Sequence, residues 1–284
     1  MGSRVEFKKN CKAIIKTEMK EIGQEELRIL QMQILDYVDD FCRRNDVKYT
    51  LSGGSLLGAV RHGGYIPWDD DVDIQMLRNE YNRFTTLWNN ASISHPFELV
   101  NIESGNNMGY PFGKIHNPKT VILVDGLERT GVFIDVFPVD DVVDQDDFNS
   151  RRAKIVRLLH DRSLVFEHMK NKGRRKSWKS LLKHLFIKLP KKSYNEIAVE
   201  INDLAKQNST GGHDTVFEMV AGMRCNSPIP AEVFNTYTDM AFEDRKYMAV
   251  SDYDTYLTRT FGDYMSLPPK EKRVSPHGYK SFWK

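Results

Sequence analysis

Residues 51–76 read LSGGSLLGAVRHGGYIPWDDDVDIQM, and two features of this stretch decide how the chain is read. Gly53, Gly54 and Ser55 end a strand pattern and run into a small-residue helix start at 56–60. A glycine turn feeding a helix N-terminus offers backbone N–H groups and the positive end of the helix dipole, which suits a phosphate. The run Asp69-Asp70-Asp71-Val72-Asp73-Ile74 then opens a second strand over 71–76. Carboxylates at i and i+2 of a strand point the same way, which suits a divalent cation. Asp71 and Asp73 form that pair. Asp69 shares their parity, and Asp70 faces the other way as a cap or a solvated group. A phosphate turn beside a metal pair points to a phosphoryl or nucleotidyl transferase.

A third carboxylate comes from residues 131–137, Gly-Val-Phe-Ile-Asp-Val-Phe, an apolar strand closed by Pro138 with Asp135 in its middle. A lone ionised carboxylate buried there costs several kcal/mol, so Asp135 must be paired, neutralised or metal-bound. A metal shared with Asp71 and Asp73 is the economical reading. Oxygen-only ligands favour Mg2+ or Mn2+ over zinc. Lys114, inside a strand at 112–115, and Arg61 and His62, at the end of the helix after Ser55, are candidate phosphate contacts. Their blander readings are a surface lysine and solvated helix ends. His277 is a further candidate near the chain end, where a lone histidine is usually exposed.

The flanking sequence places this unit. Residues 25–44 form a helix with Leu27, Leu30, Ile34, Val38 and Phe41 on one face. Val47, Tyr49 and Leu51 alternate as the strand that delivers the chain to Gly53, and a helix over 79–89 buries Tyr81, Phe84 and Leu87. Strands follow at 97–102, 112–115 and 120–124, with short ones at 216–220 and 241–243. From 146 the pattern turns helical and basic. Between 151 and 192 stand fifteen Lys/Arg against two acids, a local +13 in a chain of net +2. The rest therefore sums to about −11. Residues 176–189 carry Trp178, Leu181, Leu185 and Leu189 on one helical face, either as core of a subdomain or as an interfacial helix on an anionic membrane. Nucleic acid is disfavoured, because no recognised binding motif accompanies the charge.

With 284 residues, 40% hydrophobic and 28% charged, the composition is that of an ordinary globular protein. Three isolated cysteines without ligand spacing argue against structural zinc or a disulfide framework and fit a reducing cytoplasm. No signal-type segment or eighteen-residue apolar run is present, so a cytoplasmic location is expected, peripheral at the inner face of the membrane if the basic segment binds lipid. The expected organisation is a catalytic core over 1–145, a basic helical insertion over 146–215, and a C-terminal part over 216–284 that completes the active site.

The segment GGSLLGAVRHGGYIPWDDDVDI closely resembles the LicD family, which includes the fukutin-related enzymes. Further matching residues are Lys114-Ile115 with Thr120, residues 133–138, Phe242-Glu243, Tyr256-Leu257, residues 262–265, Pro268-Pro269 and Lys272-Arg273. The likeness spans roughly 25–140 and 235–277 and does not extend to the basic block. Two departures, Met76-Leu77-Arg78 after the acidic strand and a missing proline before Tyr253, touch loops rather than the acids. The resemblance implies the nucleotidyltransferase superfold, an α+β mixed sheet flanked by helices. It also implies transfer of a substituted phosphate from a CDP-linked donor, typically CDP-choline, to a glycan hydroxyl of teichoic acid, lipopolysaccharide or another polysaccharide, with CMP released.

Carried residue by residue, the resemblance makes Asp71 and Asp73 the metal pair, Asp135 the third carboxylate, and Gly53, Gly54 and Ser55 the groups facing the diphosphate. Phosphoryl transfer needs charge neutralisation and alignment more than covalent help, which the three acids and their cation can supply. In a two-metal arrangement, about 3.5–4 Å apart, one ion activates the acceptor hydroxyl. Asp135 completes that site or takes the proton as general base. A choline head group calls for an aromatic cage, for which Tyr65, Trp68, Tyr110, Tyr253, Tyr256 and Tyr264 are candidates. Two alternatives keep the same motifs: an NTP-using nucleotidyltransferase that releases pyrophosphate, and a non-catalytic glycan- or nucleotide-binding module.

Overall fold

The computed structural model describes residues 19–90, 92–105, 108–124, 127–128, 130–171, 189–221, 227–275 and 279–284. The expected helix around Trp178 and the candidate His277 lie outside these residues. Strand β1 (Glu21–Ile22) precedes helix α1 (Gln24–Arg44), whose apolar stripe is buried from Leu27 to Cys42. Glu25 and Glu26 in its first turn and Arg43 and Arg44 in its last complement the helix dipole. Then come β2 (Thr50–Leu51), α2 (Gly53–His62), β3 (Asp73–Leu77), α3 (Arg78–Trp88), β4 (Glu98–Val100), β5 (Gly113–His116), β6 (Thr120–Val124), β7 (Leu127–Glu128) and β8 (Phe133–Val142). Helices α4 (Gln145–Asn171) and α5 (Tyr194–Ala205) follow, and Ser193 with Glu196 makes a capping box at the start of α5. The chain closes with β9 (Thr215–Phe217), β10 (Ile229–Pro230), the hairpin β11 (Tyr237–Phe242) and β12 (Arg245–Val250), α6 (Tyr253–Phe261) and β13 (Tyr279–Trp283).

The fold is α+β, organised on β8, all ten of whose residues are buried. The seven-stranded sheet runs β10-β9-β8-β3-β2, with β5 also on β8 and β4 beyond it. β3 is parallel to β8, pairing Asp73 with Asp135 through Leu77 with Val139. On the other edge β5 pairs residues 133–136 and β9 pairs residues 140–142, both antiparallel. A second sheet, β1-β13-β6-β7, ties the C-terminal strand against the N-terminal one. The main core joins Ile34, Leu35, Val38, Leu51, Val72, Ile74, Ile134 and Val136 to Phe242, Tyr256 and Leu257 from the C-terminal part. A smaller core packs α4 and α5 onto the far half of β8 through Phe137, Val142, Phe148, Ile155, Ile197, Ile201 and Phe217.

Several boundaries differ from the sequence expectation. Pro138 does not close its strand, which runs on to Val142. The Asp135 N–H donates to the Val72 carbonyl (2.9 Å), so the two-residue alternation turns the nitrogen of residue 138 toward the opposite edge. That edge is unpaired there, in the gap between β5 and β9, so the missing N–H costs no ladder bond. β3 begins at Asp73, not at 71, so Asp71 belongs to the preceding loop and the parity argument does not place it. Helix α2 begins at Gly53, so the glycines form its first turn instead of a turn ahead of it. Only Thr50 and Leu51 of the segment starting at Val47 are strand. The expected strand at 241–243 is the end of β11, in a six-pair hairpin whose turn residue Glu243 has φ +55°.

Candidate active site

The site lies where the N-terminal ends of β3 and β8 meet the start of α2. Parallel register sets Asp73 beside Asp135, and antiparallel register sets Lys114 across from Asp135 on the other edge. The three chemical groups thus occupy one row across adjacent strands. Lys114 is only 4% exposed, and its ammonium pairs with Asp135 Oδ1. It is therefore not the surface lysine of the blander reading, and Asp135 has the partner its burial demands. The same ammonium lies over the rings of Phe133 (3.5 Å to the centroid), Tyr110 (4.6 Å) and Phe112 (5.3 Å). A cation beside the carboxylates is thus faced by three aromatic rings, an arrangement that stabilises positive charge.

Asp73 is half-buried, and its Oδ1 is closed off from solvent with no hydrogen-bond partner among the described residues. Burial, followed by the charges of Asp71, Asp135 and Asp69, pushes its carboxyl well above the ordinary carboxylate range, against the pull of Lys114. A buried acceptor left unsatisfied costs about 1–3 kcal/mol, and more when charged. Asp69, Asp70 and Asp71 can bring one oxygen each to within 4.8 Å of one another, the one acidic cluster of that kind among the described residues. The Asp73 orphan oxygen and this all-carboxylate donor set fit a hard divalent cation such as Mg2+ or Mn2+.

The acidic loop is clamped from behind by its backbone. Arg28 Nη2 donates to the carbonyls of Ile66 (3.3 Å), Pro67 (3.2 Å) and Asp69 (2.9 Å). The Asp70 carbonyl accepts from Gln31 Nε2 and from the Tyr279 hydroxyl, both at 2.9 Å, and Ser275 Oγ donates to Asp70 Oδ2 (2.6 Å). Carbonyls engaged from below leave the loop fixed while its carboxylates converge. Burial and then Asp70, Asp71 and Asp135 push the Tyr279 phenol up, so it stays a neutral donor. Arg28 and Gln31 were missed in the sequence. The available signal was Gln31 itself, a polar residue inside the apolar stripe of α1 and nearly fully buried.

At the start of α2, the Gly53 N–H donates to the Tyr256 hydroxyl (3.3 Å), which donates in turn to Gln75 Oε1 (2.9 Å). Ser55 Oγ accepts from the Asp73 N–H (2.9 Å). Gly53 sits at φ +49°, in the left-handed region that favours glycine. A methyl group on Gly54 would lie 2.5 Å from Asp69 Oδ2, so a side chain there would displace the Asp69 carboxylate from the helix end. The positive end of the helix dipole thus meets the carboxylate of Asp69.

The remaining candidates sit further out. Arg61 Nη1 donates to the carbonyls of Tyr264 (2.7 Å) and Ser266 (3.2 Å), and burial, then Arg273, pulls its pKa down. His62 meets Trp68 edge-on (6.1 Å), with burial and then Arg61 lowering its pKa, and the Arg273 guanidinium lies 5.6 Å from the Trp68 ring. Glu243 accepts from the Tyr65 N–H (2.8 Å) and gives its own N–H to the Gly63 carbonyl (2.8 Å), so it holds the turn that leads into the acidic loop.

The model of the family described as LicD/FKTN/FKRP, nucleotidyltransferase domain, matches residues 46–157, which contain the whole row of Asp73, Asp135 and Lys114. The chain is 31% identical to Lipopolysaccharide cholinephosphotransferase LicD of Haemophilus influenzae over 269 residues, 91% of this chain and 97% of the relative. It is also 58% identical over 38 residues to Ribitol 5-phosphate transferase FKRP of Homo sapiens, a match covering 13% of this chain and 8% of that protein. The likeness to the Haemophilus influenzae relative covers 91% of the chain and so extends into the basic block, beyond the bounds expected from the motifs, and the chain belongs to the LicD family.

Proposed function

We propose that this LicD-type phosphotransferase moves phosphocholine from CDP-choline to a hydroxyl of a surface glycan, of lipopolysaccharide or teichoic acid type, and releases CMP in the cytoplasm. The observation that carries the reading is the row of Asp73, Asp135 and Lys114 across adjacent strands beside the acidic loop, a charge set suited to a diphosphate and its cation. The rings of Tyr110, Phe112 and Phe133 face the Lys114 ammonium, and a trimethylammonium group would gain from them, as a polyol head group would not, once that side chain has turned from Asp135. The name of the Haemophilus influenzae relative supports the same substituent and a lipopolysaccharide acceptor.

Asp71, Asp73 and Asp135 are the residues that would hold Mg2+ or Mn2+. That cation supplies charge neutralisation for the diphosphate and the CMP leaving group. Lys114 adds a second positive charge at the transferred phosphate when it turns from Asp135. The acceptor oxygen forms the new bond to the β-phosphorus, the bond from that phosphorus to the CMP oxygen breaks, and the hydroxyl proton passes to a carboxylate oxygen of Asp135. The clamp of Arg28 and Gln31 on the acidic loop keeps the carboxylates fixed, so alignment costs no reorganisation during the step.

The test is incubation with magnesium and separately with CDP-choline, CDP-ethanolamine, CDP-glycerol and CDP-ribitol, measuring CMP release. CDP-choline should be hydrolysed fastest. CMP release from a polyol donor alone would reassign the donor, and pyrophosphate release from an NTP would make the chain a nucleotidyltransferase.

A further inference from the structure

Arg162 is one of the fifteen cations of the basic block, and from helix α4 its contacts lead to the active site. The side chain is half-buried. Its Nε donates to the Gly109 carbonyl (2.7 Å), and its guanidinium lies over the rings of Tyr194 (4.5 Å to the centroid) and Tyr110 (5.6 Å). A planar guanidinium can stack on rings while its N–H groups donate at the edge, which suits arginine here and not lysine. Tyr194 opens α5, whose first turn is fixed by the capping box of Ser193 and Glu196. The backbone these side chains meet is constrained. Met108 (φ +45°) and Gly109 (φ +78°) are both left-handed, a conformation that a non-glycine residue keeps only when its surroundings impose it. A methyl group on Gly109 would lie 1.8 Å from Tyr194 Cδ1, so α5 packs directly on this backbone. Helices α4 and α5 thus hold residues 108–110 by a hydrogen bond, ring contacts and close packing.

The hold matters because of what Tyr110 touches next. Its ring is one of the three over the Lys114 ammonium (4.6 Å), and it meets Phe112 (5.7 Å), which meets Phe137 (4.5 Å) in the smaller core. Lys114 pairs with Asp135 on one side and with these rings on the other. We propose that Arg162 is a positioning residue for Lys114 and acts through Tyr110. It fixes the loop that holds this ring beside the ammonium, so helix α4 sets where the cation of the reacting row stands. Without Arg162 the loop relaxes, the ring leaves, and Lys114 loses part of the attraction that places it. The effect on rate rests on the phosphotransferase reading. The effect on the position of Lys114 does not.

The test reads the position of Lys114 and the reaction separately, on the full chain. In protein with carbon-labelled lysine, the ring currents of the three aromatics shift the Lys114 ε-methylene signal upfield, and its loss in Lys114→Arg identifies it by NMR. Arg162→Met and Tyr110→Leu should each move that signal toward those of exposed lysines, and the double variant should move it no further than Tyr110→Leu. With magnesium and the CDP-alcohol that releases CMP fastest, kcat/KM should fall about 2–30-fold in each single variant. The double variant should fall no further than Tyr110→Leu, as residues acting in series require. Arg157→Met removes an exposed cation of the same helix and should change neither reading. Arg162→Gln replaces Arg162→Met if circular dichroism shows helix lost in the latter. The proposal is overturned if the Lys114 signal stays in place without Arg162, if the two changes add, or if Arg157→Met matches Arg162→Met. A moved signal with unchanged kcat/KM also overturns it. Absence of CMP release from every donor would instead fail the phosphotransferase reading, with the Lys114 signal still deciding whether Arg162 positions that side chain.

Discussion

Replacing Asp73 with asparagine should move stability and activity in opposite directions. Oδ1 of Asp73 is buried without a partner among the described residues, beside the charges of Asp71, Asp135 and Asp69. In the metal-free protein the change relieves like-charge repulsion and the desolvation of a buried anion. Asparagine keeps an acceptor at Oδ1 but no charge, and relief of the charged part of the burial penalty is worth about 1–3 kcal/mol. For a chain of this length each kcal/mol shifts Tm by about 2 °C, so the metal-free variant should melt about 2–6 °C higher. Magnesium should raise the Tm of the unaltered protein and leave that of the variant nearly unmoved, because a cation that binds only the folded state stabilises by mass action. Loss of a residue behind a metal ligand costs 10–100-fold, so loss of the ligand itself should lower CMP release by at least about 100-fold. Differential scanning calorimetry with and without chelator, alongside the activity assay, reads both arms. Near-full activity with magnesium would remove Asp73 from the metal site, and a lower metal-free Tm would refute the buried-charge reasoning.

Three further outcomes are expected. Phe133→Leu removes the ring closest to the Lys114 ammonium, one that a trimethylammonium group would meet once Lys114 turns toward the phosphate, so KM for CDP-choline should rise about 2–30-fold while inhibition by CDP-glycerol stays constant; equal effects on both would mean the ring serves only Lys114 or packing. Asp140→Ala strands the buried Arg78 guanidinium, which makes two bonds to Asp140 at 2.6 and 2.8 Å. It should cost about 3–5 kcal/mol, a Tm loss of about 6–10 °C in calorimetry. Burial, with Asp140 adding to it, pushes the Glu218 carboxyl up to about 7. The folded state therefore holds its proton where the unfolded chain has released it, and stability is lost as pH rises from about 4.5 through 7, by an amount on the order of 3 kcal/mol. Urea midpoints across that range should fall for the unaltered protein and lose that component in Glu218→Gln.

What the sequence made legible follows from where each signal is written. The stripe of α1 and the apolar run of β8 carry their periodicity in consecutive residues, so both elements were readable. Asp135 was recognisable because a single acid in an apolar strand has few explanations. Its pairing with Lys114 depends on strand register, which a list of separated strands does not contain. The same limit hid the clamp of Arg28 and Gln31, about forty residues upstream of the loop they hold. Pro138 misled because its effect depends on which edge of β8 its nitrogen faces. The hairpin β11–β12 has exposed residues along much of β11, so it offers little hydrophobic alternation, and its tight turn is made by Glu243 in a left-handed conformation where glycine or asparagine is the usual marker. Glu243 was visible as part of the family motif, while its work, holding the turn at Gly63–Tyr65, is a contact between distant segments.

The most direct test of the central claim follows the atoms. CDP-choline labelled separately in the choline and in the nucleoside is incubated with the protein, magnesium and a glycan acceptor fraction containing lipopolysaccharide or teichoic acid. Transfer of phosphocholine puts the choline label on the glycan and the nucleoside label in free CMP. A nucleoside label on the glycan, or no dependence on magnesium, would contradict it.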